Sequence, residues 1–348
     1  MTFVQSFAEK HNILAGVCDA APLEVSDSAR LASPFVPFVS ADAERRVNPS
    51  VTLPGVESIV VVGVPIFGGE VLGGSAPVAW ASSPPLGGRP APEPPQGSKA
   101  PLTPSLGGGR FVAQLSSLGA GEDYHVRVKK ILGELVGELE KTHGAFEYKI
   151  LVDSPGLDER ALAHRAGLGF FGRNGLLISK KFGSRFNIGC VLTSLNVSFF
   201  EEGRAGGGTF FSKKISPENF ACPDDCNLCI KSCPNGALGE KNLRVERCIS
   251  YLTQKDELSP DEEKMLHGQL FGCDICQDVC PFNAHMPRAS ACVDLAEWLK
   301  MSDEEFEKKY GRTGMLWRGT EILRRNARLA KRVGECHSPT LSEPCSKF

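Results

Sequence analysis

Eight of this chain's thirteen cysteines fall between residues 222 and 280, seven of them in two tight runs. The first run is Cys222-Pro-Asp-Asp-Cys226-Asn-Leu-Cys229-Ile-Lys-Ser-Cys233-Pro234. The second is Cys273-Asp-Ile-Cys276-Gln-Asp-Val-Cys280-Pro281, and Cys248 lies between them. Three closely spaced thiolates joined by a distant one before proline is the spacing that wraps a cubane iron–sulfur cluster. In two-cluster ferredoxins the fourth cysteine of a run ligates the other cluster. That rule assigns Cys222, Cys226, Cys229 and Cys280 to one [4Fe-4S] cluster, and Cys233, Cys248, Cys273 and Cys276 to a second. Pro234 and Pro281 end the ligand loops, because proline cannot continue a hydrogen-bonded turn. The Cys222–Cys226 interval is one residue longer than usual, which predicts a distorted first loop. Zinc sites instead favour two separate cysteine pairs, without this interleaving. Cys18, Cys190, Cys292, Cys336 and Cys345 have no partner spacing and read as core thiols or surface accidents.

The rest of the chain is large enough for a substantial core. Hydrophobic content of 41% and charged content of 23% are ordinary for a globular protein. A net charge of −2 exerts no global pull toward nucleic acid, so RNA binding would need a local basic patch. The N-terminus carries no secretory pattern and no apolar run approaches a bilayer's span, so the expected location is cytoplasmic, with no membrane partner. A disulfide framework suits small secreted domains rather than a chain of this kind.

Apolar periodicity predicts a helix over Thr2–His11, strands at Ile13–Val17 and Ser58–Val64, and a helix from Tyr124 to Lys141 whose apolar positions include Val126, Ile131, Leu132, Leu135 and Leu139. Further strands are expected at Tyr148–Val152, Gly175–Ser179 and Phe186–Leu195, with a helix at Asp158–Arg165 and a glycine-rich turn at Gly167–Gly172. Residues 67–110 are dominated by Gly, Pro, Ser and Ala and read as a disordered surface insertion or lid. Residues 198–218 read as another loop. Helices are expected at Val293–Leu299, Ser302–Tyr310 and Gly319–Val333, ahead of a frayed tail. The organisation is thus an α/β (α+β) domain over residues 1–205, a two-cluster ferredoxin-like module over 206–290, and a helical segment over 291–348.

Several stretches sharpen this. Leu151-Val-Asp153-Ser-Pro-Gly-Leu-Asp158-Glu159-Arg160-Ala, Arg165-Ala-Gly-Leu-Gly-Phe-Phe-Gly-Arg173-Asn174, and Asp123-Tyr124-His125 resemble epoxyqueuosine reductases. So do Arg247-Cys248-Ile-Ser-Tyr-Leu-Thr253 and Phe271-Gly-Cys-Asp-Ile-Cys-Gln-Asp-Val-Cys-Pro-Phe-Asn283. The resemblance implies a nitroreductase-like domain that binds cobalamin and a double-cluster module that feeds it electrons. It also implies reduction of epoxyqueuosine in tRNA to queuosine, with tRNA and an external low-potential electron donor as partners. Departures accompany it. The family's Gly-Pro stands here as Pro155-Gly156, Gly175 follows Arg173-Asn174 where threonine is usual, and a usual glutamate is Cys190. The chain also stops short of the family's C-terminal helical repeats, so a divergent paralogue acting on a non-RNA substrate such as an organohalide is an alternative. A ferredoxin-type electron-transfer protein is another.

By motif position Asp153 matches the family's catalytic aspartate. A proton donor there would be a carboxylic acid in an apolar, partly dehydrated site. On its own, a strand-end aspartate reads as a cap or turn former. Asp158 and Glu159 read as first-turn helix acids. Tyr124 and His125 are candidate contacts to the corrin or substrate, with packing as the bland reading. Gly169, with Gly167 and Gly172, would let backbone approach a cofactor, and Arg173 and Asn174 would meet the corrin's amides or phosphate. Arg247, Lys255, Arg318, Arg324, Arg325 and Arg328 would form a patch for RNA phosphates, although the last three also suit a solvated helix face.

Overall fold

The computed structural model describes residues 2–23, 42–66, 105–106, 110–197, 221–239, 243–287 and 291–336. Most of the expected insertion (67–104 and 107–109), the 198–218 loop and the tail from residue 337 lie outside the described residues. Among those described, the strands in chain order are β1 (Leu14–Asp19), β2 (Ser58–Pro65), β3 (Ser105–Leu106), β4 (Arg110–Leu115), β5 (Tyr148–Leu151), β6 (Phe170–Phe171), β7 (Leu177–Ile178), β8 (Phe186–Thr193), β9 (Gln269–Phe271) and β10 (Ala291–Asp294). They fall into two compact units. The first is drawn from Met1–Pro65, His125–Asn227 and Gly239–Leu243, the second from Ile66–Tyr124, Leu228–Leu238 and Arg244–Phe348.

The first unit is built on an antiparallel sheet of order β1-β2-β8-β5. β2 is buried at every position, with Ile59 through Val62 wholly inaccessible. A strand alternates faces, so complete burial requires cover on both sides. Residues 189 and 190 of β8 show where that cover comes from. A side chain at Gly189 would collide with Val128 and Leu132 of the helix Tyr124–His143, whereas buried Cys190 faces Glu159, at the start of the helix Glu159–Arg165. The long helix turns Val128, Ile131, Leu132, Leu135, Val136 and Leu139 inward. Val126, expected on that apolar stripe, is exposed, because the stripe begins two residues later.

The short helix begins at Asp158, whose side chain accepts from Ala161 N at 3.1 Å. It ends at Gly167, left-handed at φ 78°, where Leu168 N donates to Ala163 O at 3.0 Å. The glycine-rich turn expected over 167–172 carries a strand, β6, which pairs with β7.

In the second unit β4 is central. It pairs antiparallel with β3 and β10 and parallel with β9. This corrects two expectations. Residues 105–106 and 110, expected within the insertion, belong to β3 and the start of β4, and residues 111–120, for which no element was expected, complete β4 and supply the turn of helix Ser117–Ala120. The helix expected from Val293 starts only at Leu295, capped by Asp294, because Ala291–Asp294 pairs with β4. The core gathers Phe271, Leu295, Trp298, Phe306, Tyr310, Met315 and Leu323. Trp298 Nε1 donates to Tyr310 Oη at 2.9 Å, which satisfies the polar edges of two buried aromatics. The helix Thr320–Cys336 is tied to this core by Asn326, fully buried, whose amide donates to Thr253 O at 2.8 Å and Leu270 O at 2.9 Å.

Candidate active site and cluster module

Strand β5 ends at Leu151 and the chain turns through Asp153 before the helix Glu159–Arg165 begins. Asp153 is one of three non-glycine residues with positive φ among the described residues, at 52°. Aspartate tolerates this region better than most L-residues, and here Glu159 fastens the turn. Its Oε2 accepts from Asp153 N at 3.0 Å and its Oε1 from Ser154 N at 2.7 Å. The Asp153 side chain stands 4.0 Å from His125 Nε2 and is 68% exposed. The structure thus brings Asp153 and His125 together but does not bury the aspartate. The carboxyl in the dehydrated position is Glu159, 8% exposed. Burial pushes it up to about 8, against the two backbone donors that favour its charge. First-turn position had suggested only a helix-start acid; nothing local distinguishes Glu159 from Asp158, which does serve as the cap.

The other candidates are placed as follows. Tyr124 opens the long helix one residue before His125. Gly169 sits where a side chain would lie 2.3 Å from Ile178 O, so the close backbone approach that its lack of Cβ permits is to β7 of this chain. Asn174 Oδ1 accepts from Leu176 N at 3.2 Å and shapes the β6–β7 turn. Its Nδ2 is a buried donor with no partner among the described residues. An amide or phosphate oxygen of a corrinoid is chemically suited to such a donor, so Asn174 fits a role in holding cobalamin. Arg173 donates to Asp224 O at 2.7 Å, within the Cys222–Cys226 loop. This guanidinium therefore braces the loop whose extra residue the spacing had flagged.

Cys222 and Cys226 belong to the first unit, Cys229 and Cys280 to the second. Cys233, Cys248, Cys273 and Cys276 all lie in the second unit and are close enough to affect one another electrostatically. Burial first, then neighbouring thiols, pushes Cys273 up to about 12 and Cys276 well above the usual thiol range. Gathered thiols, three of them desolvated, are chemically suited to a cluster site, and binding iron there would release their protons.

The loops that carry them are fastened by side chains that spacing does not reveal. Asp274 accepts from both Ser117 N and Ser117 Oγ at 2.6 Å. Gly272, φ 68°, lies where a side chain would strike Ser116, and its N–H donates to Thr253 Oγ1 at 3.0 Å. After Cys233, Asn235 Nδ2 donates to Arg247 O and Met265 O, both at 2.9 Å, while Arg247 Nε returns a bond to Asn235 O at 2.7 Å. Ala237 N donates to Cys233 Sγ at 3.3 Å.

The expected basic patch is largely engaged within the second unit. Lys255 pairs with Glu262 at 2.7 Å, Arg318 with Asp256, and Arg324 with Asp303 at 2.6 Å. Arg325 donates to Lys255 O and Asp256 O at 2.7 and 2.6 Å, and Arg328 approaches Glu321 at 4.0 Å. Among the described residues no helix is long and apolar enough to cross a membrane.

Comparison with known proteins bears on both units. Residues 222–283 match the 4Fe-4S double cluster binding domain, which provides for two [4Fe-4S] clusters. An epoxyqueuosine reductase of Lactococcus garvieae is 37% identical over 218 residues, 59% of this chain and 58% of the relative. One from Bacillus cereus is 30% identical over 305 residues, covering 84% of this chain and 68% of the relative. The chain belongs to the epoxyqueuosine reductase family. Its fold agrees with that of solved family members. The Streptococcus thermophilus epoxyqueuosine reductase superposes with a TM-score of 0.71 at 26% identity, covering 95% of this chain and 80% of that one. An epoxyqueuosine reductase crystallised with an epoxyqueuosine-modified tRNA stem loop superposes equally well, TM-score 0.71 at 24% identity, over 94% and 79% of the two chains. The match spans just over half of several curated family members, 58% of the Lactococcus garvieae and 54% of the Staphylococcus aureus protein.

Proposed function

We propose that this protein is a cobalamin- and iron–sulfur-dependent oxidoreductase that reduces epoxyqueuosine in tRNA to queuosine. The observation that carries the reading is the similarity to the Bacillus cereus epoxyqueuosine reductase. At 84% of the chain it is long enough to take in both the Asp153 turn and the whole cysteine module. The reading also draws on the solved family member that holds a modified tRNA stem loop.

Converting an epoxide to an alkene consumes two electrons and two protons and releases water. When bound, cobalamin supplies a metal centre able to collect single electrons and deliver them to carbon. The remaining tasks fall to this chain. In this reading the eight ligands are Cys222, Cys226, Cys229 and Cys280 for one cluster and Cys233, Cys248, Cys273 and Cys276 for the other. An external low-potential donor charges them. The first unit is the nitroreductase-like, cobalamin-binding domain, with His125, Gly169, Arg173 and Asn174 as the region against which the corrinoid lies. Asp153 is the proton donor to the departing oxygen, and His125, 4.0 Å away, orients it or returns a proton to it.

The test is Asp153→Asn in anaerobically purified protein loaded with both clusters and cobalamin. Iron and corrinoid contents should stay at wild-type levels while turnover of an epoxyqueuosine-bearing anticodon stem-loop falls by about 100-fold or more. Unchanged turnover removes Asp153 from the role. One observation favours a second reading, the same cofactors acting on a non-RNA electrophile: Arg318, Arg324 and Arg325 are bonded inside their own unit. Binding of the stem-loop that weakens steeply with salt supports the RNA substrate; salt-independent binding without reduction product supports the alternative.

A further inference from the structure

We propose that Glu159 is a positioning residue for the proton donor: its carboxyl clamps the Asp153 and Ser154 backbone and so presents the Asp153 side chain toward His125. The inference rests on the reading of Asp153 as that donor.

Three observations support it. Both carboxyl oxygens of Glu159 are committed to successive backbone N–H groups of the turn, Asp153 N at 3.0 Å and Ser154 N at 2.7 Å. The first of those residues holds a left-handed conformation, φ 52°, uncommon for a non-glycine residue although aspartate tolerates it better than most. Glu159 is not needed to start its helix, because Asp158 already caps it through Ala161 N. A carboxyl 8% exposed, with Asp153 and Asp158 opposing its charge and Cys190 packed nearby on β8, is costly to keep unless its bonds serve a purpose. The purpose visible in the fold is the turn. Without the clamp, Asp153 relaxes toward right-handed or extended backbone, and its carboxyl swings away from His125. Misplacement of a reacting group by about 1 Å can cost 100-fold in rate.

The experiment is a double-mutant cycle on the holoprotein, with the epoxyqueuosine-bearing stem-loop as substrate. In Glu159→Gln the amide can accept one of the two N–H bonds but sets a donor against the other. It should lower kcat by about 100-fold, with KM little changed and iron and corrinoid contents intact. Added to Asp153→Asn it should cost nothing further, because a residue acting through Asp153 has no effect once Asp153 is disabled. In the wild type, the Asp153 and Ser154 amides should exchange hydrogen slowly. Full turnover in Glu159→Gln, a loss that adds fully to that of Asp153→Asn, loss of iron or corrinoid in Glu159→Gln, or fast exchange at both wild-type amides overturns the inference. Full turnover in Asp153→Asn overturns instead the reading beneath it.

Discussion

At the scale of single residues, the candidate site separates two tasks that one aspartate was expected to combine. Asp153 is accessible to a substrate, whereas the buried carboxyl is Glu159, six residues on. This has a consequence for stability. Burial raises Glu159 from 4.5 to about 8, so between those values the folded protein retains a proton that the unfolded chain has released. Stability from this group is complete below about pH 4.5 and is lost as pH rises through about 8. Denaturant unfolding at a series of pH values should therefore show wild type losing stability relative to Glu159→Gln as pH rises across that window. A constant difference would mean that the carboxyl is ionised in the fold. Asp153 was singled out by its motif, and Asp158 was legible as a helix-start acid. Glu159 was not, because two adjacent acids at a helix start look alike until β8 passes over one of them.

At the scale of elements, the helices were the easiest to read. Capping boxes such as Thr2/Gln5 and Ser302/Glu305 are local, and so are their signals. Strand β4 was missed because its partners β9 and β10 lie about 150 or more residues away, and pairing of that kind leaves no mark on the strand itself. The β6–β7 pair shows how a glycine with a supposed ligand can be explained by its own chain. Gly169→Ala should destabilise the first unit by about 1–3 kcal/mol through collision with Ile178 O, and this should appear in thermal unfolding without added corrinoid. A neutral effect would return Gly169 to a purely cofactor role. In the second unit, Asn326→Ala strands Thr253 O and Leu270 O and should cost about 1–3 kcal/mol per unsatisfied group, measured by denaturant midpoint.

At the scale of the whole molecule, the two units are interleaved along the chain. Residues 110–124 group with the second cysteine run although 100 or more residues separate them, and the first cysteine run is divided at Asn227/Leu228. Three of the thiols proposed as cluster ligands are desolvated and costly to ionise, so bound iron would contribute directly to the order of their loops. Stripping iron with a chelator should speed amide exchange in Leu228–Ser232 and Ile275–Asp278 far more than in β2 and β8. Equal loss of protection throughout would show the iron supporting the whole protein instead. Cys276→Ser should leave about half the iron, because it removes one ligand from one proposed cluster; a full complement would refute its assignment.

What the amino-acid sequence determined by itself is the chemistry that residue type and spacing encode: thiolates grouped for cubanes, an aspartate in a recognisable turn, and capped amphipathic helices. These depend on neighbours a few residues apart, so a linear reading reaches them. Only the tertiary structure decided which acid is buried, which strand is central to the second unit, and which arginines are engaged internally. Each of those follows from what distant segments bring to a residue: the desolvation of Glu159, the sheet partners of β4, and the acceptors around Arg173 and Arg325.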